Sequence, residues 1–401
     1  MKLSPGNGVR GLLPDGDRAE DRINAFKTKT EGNIMKLKKV MALTMAGAMA
    51  ATTLTACGSS SSKTETTAAA ETTAAAADAT TAAADAAAPE GTVVINVGYE
   101  NATTEPAAKA VEKWKELVEE KSNGSIELKL FPNSALGKKT DLIDQMVMGE
   151  NTITVADGAF LADYGVPDFG IFYAPFMFDN WDEEWAVIDS DWYKDLCDQL
   201  ASKGGIRVLS SNWIYGSRDI MSTKQITTPE DLKGLKLRVS SNDLSITSFN
   251  DLGAASVGMD MGDVYQALQA GTIDAVENPV VSLANRSFQE VAKYVVRDGH
   301  ILATSMWICG ESFYNTLTDE QKQILSECAD EAGLYNNELQ DDATEDALKK
   351  LEEAGVTVTE LTDEQKAAWI EAGQYFYQND TAKLGWSDGL YDTVKAAAKA
   401  N

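Results

Sequence analysis

The first ordered rhythm in the chain is a short apolar run at residues 92–99, where Val93, Val94, Ile95 and Val97 predict a strand. Pro106 then falls where a helix begins, a place that tolerates its missing N–H. Ala107, Ala110, Val111, Trp114, Leu117 and Val118 recur at helical spacing until Asn123-Gly124 stops them. Ile126, Leu128 and Leu130 alternate with Glu127 and Lys129, the pattern of a half-buried strand. A helix over 141–148 and a strand over 152–156 follow. This β-α-β-α-β opening predicts parallel strands covered by helices.

A second α/β unit is read further on. Thr228-Pro229-Glu230-Asp231 starts a short helix, with Thr as cap and Pro at the first position, and Gly234 ends it. Strands are expected at 235–239, 273–276 and 294–297, and a helix at 264–270. From Thr318 the pattern reads as purely helical. Thr318 with Gln321 and Thr362 with Gln365 both fit a capping box. No internal repeat is visible. The fold class expected is α/β: two lobes with a C-terminal helical layer.

The amino terminus carries an export signal rather than a fold. From Met35, Lys36, Lys38 and Lys39 precede an uncharged, largely apolar stretch that ends in Leu54-Thr55-Ala56-Cys57. The form is that of a signal peptide over 35–56, and small residues ahead of a cysteine resemble a bacterial lipoprotein signal, with Cys57 receiving lipid. At about 17 residues, rich in Ala and Thr, the stretch is at the short limit for a spanning helix. Residues 1–34 have no signal character and read as an upstream extension ahead of the true initiator Met. Residues 57–90 are Ser, Thr and Ala with almost no large apolar side chain, so they suit a flexible tether. The expected location is outside the cytoplasm, lipid-anchored to the cell membrane.

Charge and composition narrow the chemistry. The chain holds 62 acidic and 35 basic residues, a net charge of −27. Removing residues 1–56 leaves 57 acidic and 26 basic residues, or −31. Such a chain is soluble and self-repelling, and it is a poor partner for nucleic acid, whose phosphates need Lys and Arg. His300 is the one histidine, which rules out multi-His metal sites. Lying in Arg297-Asp298-Gly299-His300 between apparent strands, it reads as structural. Cys197, Cys309 and Cys328 are an odd set at wide spacing, and read as buried free thiols. Gly137-Lys138-Lys139-Thr140 fails as a phosphate loop because Pro132 stands where its first glycine is needed. No GxGxxG follows the first strand. Acidic pairs such as Glu183 and Glu184 read as a solvated helix face. The chain is expected to be no enzyme and to use no metal or other cofactor.

The arginines carry more information. Only Arg207, Arg218, Arg238, Arg286 and Arg297 follow Cys57, against many lysines. A guanidinium presents a planar fork that fits a carboxylate. Arg238 stands inside an expected strand, between Leu237 and Val239, where an unpaired charge is costly. Either a structural carboxylate meets it or it waits for an anionic ligand.

Asp231-Leu232-Lys233-Gly234-Leu235-Lys236-Leu237-Arg238-Val239 resembles the DLKGLKxRV segment of TRAP solute-binding proteins, the DctP-like receptors of tripartite ATP-independent transporters. The likeness continues through Gly253-Ala254, Met259 and the run from Asp263 to Gly271, and into Asp274-Ala275-Val276-Glu277-Asn278-Pro279. Upstream, Phe131 to Gly137 and Ala174-Pro175-Phe176-Met177-Phe178 are similar to two further elements of the family. Order and spacing agree along roughly 92–400.

The resemblance implies a periplasmic-binding-protein-like fold of two lobes with an interlobe ligand cleft and a long C-terminal bridging helix. Lobe 1 would cover 91–216 and lobe 2 217–304, with 305–401 supplying a return strand and helices that complete both. It implies capture of a small carboxylate, delivery to TRAP permease subunits, and a monomer. Arg238 matches the arginine that pairs with the ligand carboxylate, Arg218 a second cleft arginine, and Asn278 the asparagine that fixes the same carboxylate. Asp157 matches an acidic position facing ligand hydroxyls, and Met261 a position aromatic in some relatives. Glu100 and Asn101 follow the first strand, where ligands of open α/β sheets are met. For these last two and Asp157 a plain loop role is the alternative. Trp213 and Tyr215 stand near the crossing segment, as packing or as lining. C4-dicarboxylates, sugar acids, sialic acids and 2-oxo acids are bound within the family; Asp157 with Glu100 favours a sugar acid. A sensory receptor for the same acids and an ABC-type binding protein are the rival readings.

Overall fold

The structure, a computed structural model, describes residues 91–399. The signal segment, Cys57 and the tether lie outside the described residues. Among those described, no helix is long and apolar enough to cross a membrane.

The opening expectation matches what forms. β1 (Val93–Gly98), β2 (Ile126–Phe131) and β3 (Thr152–Ala156) are parallel, with β1 between the other two. Helices Pro106–Lys121 and Lys139–Val147 make the crossovers, the first with its Pro at the amino-terminal turn. The second half of the sheet has β5 (Lys236–Val239) parallel to β6 (Ala255–Gly258) and to β7 (Ala275–Pro279).

Two long antiparallel strands join the halves. β4 (Ile206–Ser222) and β8 (Tyr294–Gly310) have 17 residues each and pair along most of their length, with several register shifts. The sheet runs β2-β1-β3-β8-β4-β7-β5-β6, and β9 (Thr357–Glu360) pairs with β8. The result is two α/β lobes on one continuous nine-stranded sheet, crossed by β4 and β8.

Helix Asp319–Glu338 packs on Pro106–Lys121 and on β4. Helix Gln340–Glu353 follows after Leu339 alone and packs on Val280–Asn285 and β9. The bridging helix is therefore two successive helices, one serving each half. The first seats on an aromatic cluster in which Trp114, Trp213 and Trp307 meet at centroid distances of 5.2–6.3 Å. Trp213 is thereby a core residue, and its indole N–H donates to Ala329 O at 3.0 Å.

Several expectations need correction. The segment after Thr318 is not purely helical, because Thr357–Glu360 adds the parallel strand β9. Four residues are too few to show a period, and only the open edge of β8 makes them a strand. His300 does not lie between strands but inside β8, which runs on to Gly310. Glu184 is not on a solvated face: it is fully buried while its neighbour Glu183 pairs with Lys395. The three described cysteines are free thiols, with Cys309 and Cys328 buried as expected but Cys197 only half-buried.

The contact of the bridging helix with β4 leaves no room for a methyl group at Gly333. A Cβ there would stand 2.1 Å from Asn212 Oδ1 and 2.8 Å from the Trp213 ring. Gly333→Ala is expected to destabilise the protein by about 1–3 kcal/mol through this overpacking, despite the better helix propensity of Ala. Urea denaturation checks it, and an equal or higher midpoint would contradict the close packing.

Candidate ligand-binding site

A cavity of about 230 Å³ opens at the carboxyl ends of the parallel strands of both halves. The loops after β1, β3 and β5 bring Glu100, Asp157 and Ser240 to it, and the crossing strands bring Arg218 and Thr304. This is where main-chain direction in open α/β sheets leaves a crevice. All seven residues singled out in the sequence, Arg238, Arg218, Asn278, Asp157, Met261, Glu100 and Asn101, line it. Their states differ.

Arg238 is 3% exposed, on β5 between two core residues, Leu237 and Val239. Its Nε donates to Met259 O at 2.8 Å and its Nη1 has no partner. It forms no ion pair with any described residue. Burial pulls its pKa below the usual arginine value, opposed by the field of Glu277. A guanidinium does not shed its proton under these conditions, so the wall carries an uncompensated positive charge.

Arg218 is equally buried but already occupied. Its Nε is 2.5 Å from Glu277 Oε2, and its Nη2 donates to Glu277 Oε1 at 2.8 Å. Nη1 donates to Asn278 Oδ1 at 3.1 Å, and the guanidinium lies over the Tyr173 ring at 5.0 Å. Glu277 is also 3.4 Å from His300 Nε2, whose Nδ1 is 2.9 Å from Asp298 Oδ2. Arg218, Glu277, His300 and Asp298 form a buried row of alternating charge. Burial would push Glu277 up, yet Arg218 and His300 hold it at about 2. Burial would push His300 down, yet Asp298 and Glu277 hold its imidazolium up to about 9. Asn278 is therefore fixed through its oxygen, leaving its amide nitrogen 3.8 Å from Met261 Sδ at the cavity wall.

The opposite wall is acidic but partly satisfied. Glu100 accepts from Lys139 Nζ at 3.1 Å; burial would raise its pKa, and Lys139 with Arg286 brings it to about 2. Asp157 caps the next helix through Oδ1, which accepts from Ala159 N at 3.0 Å and Phe160 N at 3.2 Å. Its Oδ2 stands 4.0 Å from Lys139 Nζ, and burial raises its pKa. The plain loop role and the site position are thus combined in one carboxylate. Asn101 is turned to Glu105, its Nδ2 donating to Oε2 at 2.9 Å.

Lys139 is a site residue that the sequence reading passed over. Its ammonium sits over the Phe160 ring at 4.6 Å and between Glu100 and Asp157. In the sequence it stands in Gly137-Lys138-Lys139-Thr140, which fails as a phosphate loop. Its place at the first turn of a helix after Gly137, opposite the end of β1, was the available signal. Tyr173 and Tyr215 also line the cavity, and nothing in their spacing marks Tyr173.

The halves are drawn together over the cavity. Lys138 pairs with Asp260 across the mouth, and Arg286 Nη2 donates to Glu100 O at 2.7 Å. Both contacts link the β1–β3 half to the β5–β7 half.

The family model for bacterial extracellular solute-binding protein, family 7 (DctP), matches residues 97–383. The C4-dicarboxylate-binding periplasmic protein DctP of Rhodobacter capsulatus is 30% identical over 280 residues, 70% of this chain and 84% of that protein. A TRAP periplasmic solute-binding protein from Ochrobacterium anthropi, solved with bound L-fuconate, is 38% identical with a TM-score of 0.72, covering 77% of this chain and 99% of its own. One from Actinobacillus succinogenes 130Z, with bound L-galactonate, is 37% identical at TM-score 0.72, covering 76% and 99%. Two lobes, a cleft at their strand ends and a family match over most of the folded part define the class, and the chain belongs to the DctP family of solute-binding proteins.

The buried row predicts a pH effect on stability. His300 has its pKa raised from about 6.5 in the unfolded chain to about 9 in the fold. A raised pKa stabilises fully below the unfolded value, and the contribution is lost as pH rises through the folded one. Between pH 6.5 and 9 the ligand-free protein is expected to lose on the order of 3 kcal/mol from this group. Thermal melts across that range should fall, and fall less in His300→Gln; parallel curves for the two proteins would refute the charged state of His300.

Proposed function

We propose that the chain is a non-enzymatic receptor for a hydroxylated monocarboxylic acid of the sugar-acid class, held in the closed cleft and handed to a TRAP permease for uptake. The uncompensated guanidinium of Arg238 carries this reading. Among the cavity's described cations, Arg218 is engaged by Glu277, Lys139 by Glu100 and Lys138 by Asp260. Arg238 is left to take one negative charge.

The ligand carboxylate docks on Arg238, with the Asn278 amide nitrogen, whose other contact is the weak acceptor Met261 Sδ, and the remaining edge of Arg218 as further donors. Together they replace the water lost when the lobes close. Met261 supplies an apolar wall. The rest of the ligand lies toward Asp157 and Glu100, whose oxygens accept from hydroxyls, with Asn101 behind them. A second carboxylate at that end would face two acids in a desolvated site, which favours a monoanion over a dicarboxylate. The ligands of the two solved relatives, L-fuconate and L-galactonate, are of the favoured type.

The lobes are assigned as 91–216 and 217–304, with 305–401 completing both, and the receptor is taken to act as a monomer. The amino-terminal reading completes the proposal: export by 35–56, a tether over 57–90 and lipid on Cys57 hold the receptor at the outer face of the membrane.

Two measurements test this. A thermal-shift panel of organic acids on the full chain is expected to give its largest shifts with sugar acids. Arg238→Ala should abolish the shift while the unliganded variant still folds, since it loses a buried unpaired charge. The expected cost in affinity is ~2–5 kcal/mol, about 30- to several-thousand-fold. An undiminished shift in Arg238→Ala would remove the anchor. Mass spectrometry of the protein recovered from membranes should find lipid-modified Cys57 as the first residue, and retention of Glu20 or an unmodified Cys57 would overturn the anchoring.

A further inference from the structure

Glu184 is a fully buried carboxyl with no cation beside it. It projects from helix Trp181–Ile188 into a core built by residues such as Phe172, Val187 and Trp386. Its Oε1 is 2.7 Å from Thr304 Oγ1, and its Oε2 has no hydrogen-bond partner. Lys395, on the terminal helix packed against it, pairs with the neighbouring Glu183 instead. From the following helix, Tyr193 is the titratable group that shares its field, and that hydroxyl is hydrogen-bonded to Ser211. Thr304 lines the ligand cavity.

A carboxylate in such a place would leave a bare charged oxygen in an apolar core, which strongly favours the neutral acid. The neutral acid has one proton to place. On Oε2 it would be a buried donor with nothing to receive it. On Oε1 it points at Thr304 Oγ1, and only an acceptor is left unpaired, the less costly of the two defects. The Thr304 hydroxyl, already accepting from Glu184, then has its own proton free.

We propose that Glu184 is a positioning residue for the ligand site: as a neutral acid it donates to Thr304 Oγ1 and so turns the Thr304 hydroxyl into a donor toward the bound acid. When Glu184 ionises, the bond reverses. Thr304 then donates to Oε1 and presents only lone pairs to the cavity, a poor match for the acceptor oxygens of a carboxylate-bearing ligand. Burial pushes the Glu184 pKa up to about 8, with the Thr304 bond opposing it, so the reversal falls in mildly alkaline solution. The inference rests on the ligand reading above, because it needs an acceptor-rich solute in the cavity.

The test is calorimetric titration of sodium L-galactonate, with L-fuconate as a second probe, into the full chain from pH 6.5 to 9.5. Loss of one neutral hydrogen bond predicts binding about five- to tenfold weaker at the alkaline end. Asp219 and His300 titrate in the same range in every variant, so the informative quantity is the difference in slope. Glu184→Gln keeps an amide donor on Thr304 at every pH and should remove that part of the slope. Thr304→Val deletes the hydroxyl and should remove it as well, and it reads the same effect if Glu184→Gln fails to fold. A wild-type slope retained in either variant, or a wild-type affinity constant across the range, overturns the proposal while leaving the ligand reading intact. Absence of binding of either acid by the wild type at every pH overturns both.

Discussion

A guanidinium buried on a β-strand without a counter-charge is the constraint around which this structure is arranged. Burying Arg238 unpaired is unfavourable for folding alone, and the surrounding sheet has to hold it regardless. Leu237 and Val239 on either side lock β5 into the core, and Met259 O takes its Nε, while Nη1 is left buried without a partner. In the proposed reading that charge, eased only in part by the fields of Glu277 and Glu100, is offset when an acid enters. Fold stability and ligand affinity are therefore linked through one side chain, as expected for a site that is preorganised rather than formed on binding.

The rest of the site keeps that charge singular. Arg218 would compete as an anchor if it were free, but Glu277 neutralises it, and the His300–Asp298 pair keeps Glu277 in place. Lys139 plays the complementary part on the other wall, holding Glu100 ionised and standing beside Asp157. The cation without a paired carboxylate thus lies toward the β5–β7 half, and Glu100 and Asp157, with Lys139 between them, lie toward the β1–β3 half. β4 and β8 are shared by both halves, and they carry Arg218 and Thr304 into the site.

Local sequence determined a large part of this. Pro106, the Asn123-Gly124 stop, the Thr capping boxes and the alternation from Ile126 to Leu130 place their elements because each acts through neighbours a few residues away. The oddness of Arg238 was legible for the same reason: a charge inside an apolar strand run is a local contradiction. The family resemblance supplied Arg218, Asn278, Asp157 and Met261, the strand-end position supplied Glu100 and Asn101, and all six line the cavity.

What only the tertiary structure decided depends on residues distant along the chain. Thr357–Glu360 is a strand because β8 offers it an edge, and β8 runs unbroken past His300 because β4 pairs with it. Glu184 reads as a surface acid in a charged helix, and packing puts it in the core against Thr304, 120 residues away. The partners of Arg218 and the absence of one for Arg238 are decided in the same way. Whether a charge is spent or available is a property of three-dimensional pairing and desolvation, and a sequence lists the charges without saying which of them meet.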